Sequence, residues 1–220
     1  LWLAGLMLSL VARADPSKPA ESNTPADNKQ AENKIDPKAD ELLKKMSAEL
    51  QGMKSMQFDA DHTMEVVTKE GEKIQYVAES RVELQRPNKV RSDRTGPLAD
   101  LAFYYDGSNV TIYGKKLDLY ASEKAPATID KMIDFARDQL DLEAPGADLL
   151  YTDVYQGLMS DVVAGTYLGV EEVGDRACHH LAYRGHETDW QIWIEDGPHA
   201  LPCRYVVVSK NIQASPAYTV

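Results

Sequence analysis

The sequence predicts an α+β domain in which helices lie across one face of an antiparallel sheet. The first observation is a strict alternation over Ile74–Leu84, which is typical of a strand with one buried face. The second is the order of the elements. One segment with a 3.6-residue apolar spacing precedes all strand-like segments, and further segments of this kind divide the strand-like segments into two groups. Since a parallel sheet needs single strands that alternate with helices, this order favours an antiparallel sheet.

The alternation over Ile74–Leu84 indicates a sheet that is covered on one side only. The residues of one parity form its less polar set: Ile74, Tyr76, Ala78, Ser80, Val82 and Leu84. The other parity is polar or charged, with Val77 as its one apolar member. Successive side chains of a strand point to opposite faces, so the first set predicts a buried face. A shift by one residue would turn charges inward, so the register is strongly specified.

Three segments are predicted to be helical. The first covers 37–52, where Asp36 and Pro37 supply an N-cap and a proline at the first helical position. The second is Ile129–Leu140, whose apolar positions share one face and which we expect to cover the buried side of the sheet. A third, short helix is expected around 149–158.

Strands are predicted before and after the second helix, separated by turn signals such as Asp106-Gly107. They are Gln57–Val67, Ile74–Leu84, Leu101–Tyr105, Val110–Tyr113, Leu117–Tyr120, Thr166–Val173, Ala177–Tyr183, Thr188–Glu195 and Cys203–Ser209. The last residues, Ala217–Val220, look like the beginning of another strand.

The two ends of the chain support predictions about cleavage of a signal peptide and about the extent of the domain. Residues 1–14 combine an apolar core with an Ala-x-Ala site, so we expect a signal peptide that is cleaved on export. Residues 15–35 are rich in Pro, Ala, Asn and Glu, and we expect a disordered linker. The domain is then 36–220, and the strand that begins at its end predicts truncation at the C-terminus.

The acidic balance of the chain excludes some classes of partner. The net charge is −11 at pH 7, and such a surface repels nucleic-acid phosphates and anionic lipid headgroups. The apolar run at the start is also shorter than the about 20 residues that a spanning helix needs. We therefore expect no nucleic-acid partner and no stable membrane anchor.

The segment after the long strand resembles a known superfamily. It reads Arg86-Pro87-Asn88-Lys89-Val90-Arg91, and it is followed by the Asp106-Gly107 turn and by Tyr113 on a strand. This pattern is similar to that of the periplasmic lipoprotein carriers, the LolA/LolB-like superfamily.

The C-terminal part is similar to an uncharacterised branch of that superfamily, known only as predicted periplasmic proteins with a domain of unknown function. The segments that carry this likeness are Gly174–Leu181, Asp189–Ile194 and Leu201–Arg204. The resemblance covers roughly residues 36–210 and implies a location in the periplasm.

The resemblance implies a curved, incomplete β-barrel whose concave face is closed by helices around an apolar cavity. In the carriers this cavity takes lipoprotein acyl chains, and the second arginine of the motif, here Arg91, ties the sheet to the helical lid. The sequence departs from the carriers at Val90, where they have Phe, and at Ser92, where they have Trp. The pair His179 and His180 is not a carrier feature either, so the resemblance supports the fold more than lipoprotein transfer.

Cys178 and Cys203 are the two cysteines of the chain, and an oxidising compartment favours a disulfide between them. A bridge that closes a loop of about 26 residues would stabilise the fold by about 3 kcal/mol. In a simple meander, however, two strand spacings of about 9.6 Å in total would separate them. A disulfide can join two cysteines only if their Cα atoms are within about 7 Å of each other. A bulge or the loop Asp196–Pro202 would therefore have to close the gap, and the sequence leaves the pairing open.

Patterns for metal binding and catalysis are weak. His179 and His180 are adjacent, so a strand would point them to opposite faces, and His62, His186 and His199 show no helical pairing. There is no Gly-x-Ser-x-Gly sequence around a serine and no phosphate-binding glycine loop. We predict no metal, no cofactor and no catalytic residue.

Aromatic and aliphatic residues on the strands and on the second helix are candidates for the wall of a ligand cavity. They are Tyr76, Val82, Leu84, Tyr104, Ile112, Ile129, Met132, Ile133 and Trp190. The alternative for each of them is ordinary core packing, and the sequence does not separate the two.

The leading hypothesis is an exported, non-enzymatic protein that binds a lipid or an acyl chain between sheet and helices, such as a lipoprotein or lipid carrier. The first alternative is a periplasmic scaffold or sensor domain that acts through a protein partner and has no ligand cavity. The second alternative is a hydrolase. The identity of any protein partner is left open.

Overall fold

The computed structural model describes residues 34–142 and 144–220. The predicted signal peptide, residues 1–14, lies outside the described residues, as does residue range 15–33 of the predicted linker.

The described residues form three α-helices, one 3₁₀ helix and eleven strands. The helices are α1 (Pro37–Gly52), α2 (Ile129–Leu140), the 3₁₀ helix (Ala147–Leu150) and α3 (Val154–Met159). The strands before α2 are β1 (Ser55–Val67), β2 (Lys73–Gln85), β3 (Lys89–Thr95), β4 (Leu101–Tyr105), β5 (Asn109–Gly114) and β6 (Leu119–Lys124). Those after α3 are β7 (Val162–Val173), β8 (Arg176–Gly185), β9 (Thr188–Glu195), β10 (Pro202–Ser209) and β11 (Ala217–Thr219).

All strands join one antiparallel sheet in the order β6-β5-β4-β3-β2-β1-β11-β10-β9-β8-β7. Each half of the sheet is a meander, and β11 connects the halves because Thr219 pairs with Thr63 of β1 and with Val206 of β10. The sheet is not closed, since β6 and β7 stand at its two edges. The predicted α+β class, with a curved antiparallel sheet as an incomplete barrel and helices on its concave face, is confirmed.

The alternation in β2 appears in the structure as predicted over its second half. Ala78, Ser80, Val82 and Leu84 are buried, whereas Val77 on the opposite parity is 67% exposed. Ile74 is exposed as well and belongs to neither hydrophobic core. The helices therefore cover only the part of the strand that leads toward Leu84.

Two hydrophobic cores lie under the helices. Helix α1 packs with α3 on the half of the sheet that contains β8–β10, where Leu43, Ile192 and Ile194 are fully buried. Helix α2 packs on the other half, where Ile129 and Met132 meet residues such as Leu84. The second helix thus covers β2–β5, while the first helix covers the strands near the C-terminus.

Candidate functional site

A cavity of about 280 Å³ lies between the concave face of β1–β5 and a wall made by α2, the loop that follows it and the 3₁₀ helix. Most of its lining is apolar. The sheet contributes Phe58, Ala60, Val82, Val90, Leu101, Phe103 and Ile112, and the wall contributes Met132, Ile133, Ala136, Leu142, Leu149 and Leu150. The cavity is continuous with the core under α2, which shares Val90, Met132 and Ile133.

The register of three strands places these side chains on one face. Val82 of β2 lies opposite Phe58 of β1 on one side and Ser92 of β3 on the other. Two residues along β2, Ser80 lies between Ala60 and Arg94 in the same way. Because alternate residues of paired strands share a face, all six side chains point toward the cavity.

Helix α2 supplies the opposite wall because its sequence is amphipathic. Thr128 caps its first turn by accepting a hydrogen bond from the backbone nitrogen of Lys131. Met132, Ile133 and Ala136 then fall on one helical face and are buried against the sheet. Arg137, next to them, lies at the rim of the wall and forms an ion pair of 2.9 Å with Asp148.

One end of the cavity is polar. The imidazole of His62 contacts the Tyr218 hydroxyl through Nδ1 and the Ser80 hydroxyl through Nε2, the latter at 2.5 Å. Burial lowers the pKa of His62, and the nearby positive charge of Arg94 lowers it further, so the ring is neutral at pH 7. Burial also raises the pKa of Tyr218 to about 12, so its hydroxyl keeps its proton.

Ser80 and His62 are the residues on which a hydrolase function would depend. A hydroxyl within hydrogen-bond reach of an imidazole is the arrangement of a nucleophile and its general base. The second ring nitrogen contacts the Tyr218 hydroxyl, where a serine–histidine–aspartate triad would have a carboxylate. Tyr218 can orient the ring but carries no negative charge to stabilise an imidazolium.

The tie between sheet and helical layer is made by Arg86 and not by Arg91. Arg86 donates from Nη1 to the Leu150 carbonyl at 3.1 Å and from Nη2 to the Tyr151 carbonyl at 3.0 Å. Arg91 lies on the opposite face of the sheet and pairs with Asp93 at 2.7 Å. The reason is the alternation of β3, because Val90 points inward and the next residue must point outward.

Four of the predicted cavity residues line the cavity: Val82, Ile112, Met132 and Ile133. Leu84 and Ile129 lie beside it in the same core, fully enclosed by their neighbours.

The other three predicted residues lie elsewhere. Tyr76 is half-buried farther along β2 and is not part of the lining. Tyr104 is 39% exposed on the outer face, under the guanidinium of Arg91, because its neighbour Phe103 takes the inward position. Trp190 is buried in the other half of the sheet, stacked on Tyr183 with ring centroids 4.1 Å apart.

An open groove of about 670 Å³ lies on the outer side of β1–β3, and its chemistry differs from that of the cavity. Most of its lining is charged: Asp59, Asp61, Glu79, Arg81, Glu83, Arg91 and Asp93. Arg81 and Asp59 are joined in it by an exposed ion pair of 2.7 Å. A solvated surface of paired charges does not bind an apolar ligand, so we assign the candidate site to the inner cavity.

Cys178 and Cys203 form a disulfide, with their Cα atoms 7.0 Å apart. Cys178 lies opposite Glu195 of β9, and Cys203 stands at a register shift between Pro202 and Arg204 of β10. This irregularity corresponds to a bulge, one of the two ways in which the sequence allowed the gap of two strand spacings to be closed.

The histidine pair and its surroundings show no metal-binding arrangement. His179 lies 3.2 Å from Asp196, and His180 contacts Glu171 and stacks on Trp193 with centroids 4.0 Å apart. Within the ranges 34–142 and 144–220, no group of three or more His, Cys, Asp or Glu side chains could hold a metal ion.

A family described as "Predicted periplasmic protein (DUF2092)" matches residues 39–220. The chain belongs to this family. The resemblance that the sequence carries to uncharacterised predicted periplasmic proteins is thereby confirmed. No curated protein matches the chain. Among the described residues of this DUF2092 protein, no helix is long and apolar enough to cross a membrane.

Two solved structures share the fold of this DUF2092 protein. Lipoprotein LppX of Mycobacterium tuberculosis matches with a TM-score of 0.54 at 12% identity, over 84% of this chain and 92% of LppX. LprF of Mycobacterium bovis matches with a TM-score of 0.52 at 15% identity, over 84% of this chain and 91% of LprF. A LolA-superfamily protein of Nitrosomonas europaea matches with a TM-score of 0.34 at 10% identity, over 82% and 89% of the chains. At these identities the first two likenesses show the fold alone.

Proposed function

We propose that the protein is a periplasmic, non-enzymatic binding protein that holds a lipid or an acyl chain between its sheet and its helices. The observation that carries this proposal is the apolar cavity between β1–β5 and the wall of α2 and the 3₁₀ helix. Residues 1–14 would act as the cleaved signal peptide that brings the chain to this compartment. The resemblance of the Arg86–Arg91 motif to lipoprotein carriers supports the same class of ligand.

The driving force would be transfer of the ligand's chain out of water. Each buried methylene group contributes about 0.8 kcal/mol, so several of them together are needed to offset the cost of association. The cavity volume of 280 Å³ is just below the roughly 300–1,000 Å³ of small-molecule sites, so it accommodates a short chain as it stands. A longer chain would require the wall of α2 and the 3₁₀ helix to move outward.

Replacing Val82 with Phe fills the cavity from the sheet side and tests the proposal. We expect V82F to weaken binding of the neutral fluorophore N-phenyl-1-naphthylamine by about tenfold, because the inserted ring occupies the space of the probe. The matched control is Val77→Phe, the same substitution on the same strand at a side chain that is 67% exposed on the outer face. V77F should bind the probe as the wild type does.

Fluorescence titration measures these affinities, and thermal unfolding confirms that both variants fold. Equal affinities of V82F, V77F and wild type would place the probe outside the cavity and contradict the proposal. So would the absence of any binding to the wild-type protein.

A scaffold or sensor function is the second candidate, and a surface feature favours it. The turn between β5 and β6 and the edge strand β6 expose Leu117, Leu119 and Tyr120, each with at least 65% of its surface accessible. Large apolar side chains exposed at the edge of a sheet are candidates for contacts with other proteins. A protein with this function would bind no ligand in the cavity, and V82F would leave the binding of its protein partner unchanged.

A further inference from the structure

Arg94 is a half-buried cation at the polar end of the cavity, and no described residue provides a counter-charge for it. Its Nε atom is buried and has no hydrogen-bond partner within the part of the chain that the structure describes. Across 34–142 and 144–220, no carboxylate lies within ion-pair distance of its guanidinium. The other arginine of the lining, Arg137, is neutralised by Asp148 at 2.9 Å.

The charge of the described lining residues differs from that of the chain as a whole. The chain carries 35 acidic residues and a net charge of −11, yet none of the described lining residues is Asp or Glu. Arg94 is half-buried, and its buried Nε–H group is unfavourable as it stands, because it loses hydration and receives no compensating bond from the described residues. A negatively charged ligand oxygen would supply the missing bond and neutralise the guanidinium.

The neighbours of Arg94 can add a neutral donor. A neutral imidazole has one donor and one acceptor nitrogen, so His62 donates to one hydroxyl and accepts from the other. The hydroxyl that accepts, on Ser80 or on Tyr218, keeps its own proton free for a further bond. In either tautomer one O–H group at this end is available to a ligand oxygen.

The polarity of the cavity changes along the strand pair β2–β3. Leu84 pairs with Val90 at the apolar end, Val82 pairs with Ser92 in the middle, and Ser80 pairs with Arg94 at the polar end. This change in polarity matches that of an amphiphile, because an alkyl chain fits the apolar end and an anionic group fits the polar end.

We propose that Arg94, assisted by the hydroxyl of Ser80 or Tyr218, binds the carboxylate or phosphate head group of a single-chain amphiphile whose alkyl chain lies among Val82, Val90 and Met132. The inference rests on the proposed function and specifies its ligand class. An arginine suits this task because its planar fork donates two parallel hydrogen bonds to a carboxylate or a phosphate.

The test compares ligands of equal chain length in displacement of N-phenyl-1-naphthylamine. Decanoate, decyl phosphate and decanol are titrated into wild type, Arg94→Gln and Arg91→Gln, with acetate and inorganic phosphate as anions without a chain. We expect the wild type to bind decanoate or decyl phosphate at least about tenfold more tightly than decanol, as a charge-assisted bond predicts. R94Q should lose this preference and keep its affinity for decanol, while R91Q on the outer face should retain the preference.

The outcomes separate the two proposals. Equal wild-type affinities for decanol and for the two anionic ligands would overturn the head-group assignment and leave the proposed function standing. Inorganic phosphate that binds as tightly as decyl phosphate would also overturn it, because the chain would then play no part. If none of the three alkyl ligands binds, the proposed function fails and the head-group assignment fails with it. The wild-type comparison needs no variant, so a misfolded R94Q would not leave the question open.

Discussion

Replacing Arg86 with Met is expected to lower the free energy of unfolding by about 3 kcal/mol. The variant removes two charge-assisted hydrogen bonds to the carbonyls of Leu150 and Tyr151, each worth about 1.5–3 kcal/mol. Part of the loss is offset, because the Nε atom of Arg86 is buried without a partner among the described residues and is removed as well. Urea denaturation with linear extrapolation measures the change.

The position of the effect matters as much as its size. Leu150 and Tyr151 end the 3₁₀ helix that forms part of the cavity wall, so R86M should increase amide exchange there more than in β8–β10. The control is Arg91→Met, which removes an exposed ion pair with Asp93 and should cost at most about 1 kcal/mol. An equal loss in both variants would show that Arg86 does not hold the wall to the sheet.

Reduction of the disulfide is expected to cost about 3 kcal/mol of stability, the value for a loop of this length in the chain-entropy model. Cys178 and Cys203 are 25 residues apart and join β8 to β10 across β9. In the unfolded chain their bond therefore restricts the conformations of the segment that forms much of the C-terminal meander. The measurement is urea denaturation of the same protein with and without a thiol reductant.

The double variant Cys178→Ala with Cys203→Ala is the control, since a reductant should not change its stability. Thiol titration of the unreduced, unfolded wild type should find no free thiol. Two free thiols per chain would contradict the assignment of the bond.

The sequence predicted the sheet with one buried face, because alternation is a local property of a strand. It also predicted helix α2 and the inward direction of Val82, Met132 and Ile133, since amphipathic periods in strand and helix fix which side chains face each other. Four of nine predicted cavity residues line the cavity for this reason.

The residues that sequence reasoning missed or misplaced depend on contacts between distant parts of the chain. Trp190 was assigned to the cavity, but α1 and not α2 covers its strand, and no local pattern states which helix covers which strands. Tyr218 reaches the cavity only because β11 inserts between β10 and β1, and β1 lies far from β11 in sequence.

Polar members of the lining were missed for a different reason. Arg94 has the same parity as the buried Val90, and this parity was the available signal for an inward side chain. A charged residue on a buried parity is ordinarily interpreted as the solvated end of a strand. The resemblance to the carriers indicated Arg91 instead, and the side chain of Arg91 points to the outer face of the sheet.

Native mass spectrometry of the protein purified from the periplasm tests the central claim most directly. The claim is that the cavity between sheet and helices holds a hydrophobic ligand. We predict that the wild type carries an added mass that organic extraction releases as a lipid or fatty acid, that V77F carries the same mass, and that V82F lacks it. A wild-type protein that shows only the mass of its polypeptide, both as purified and after incubation with a total lipid extract, would contradict the claim.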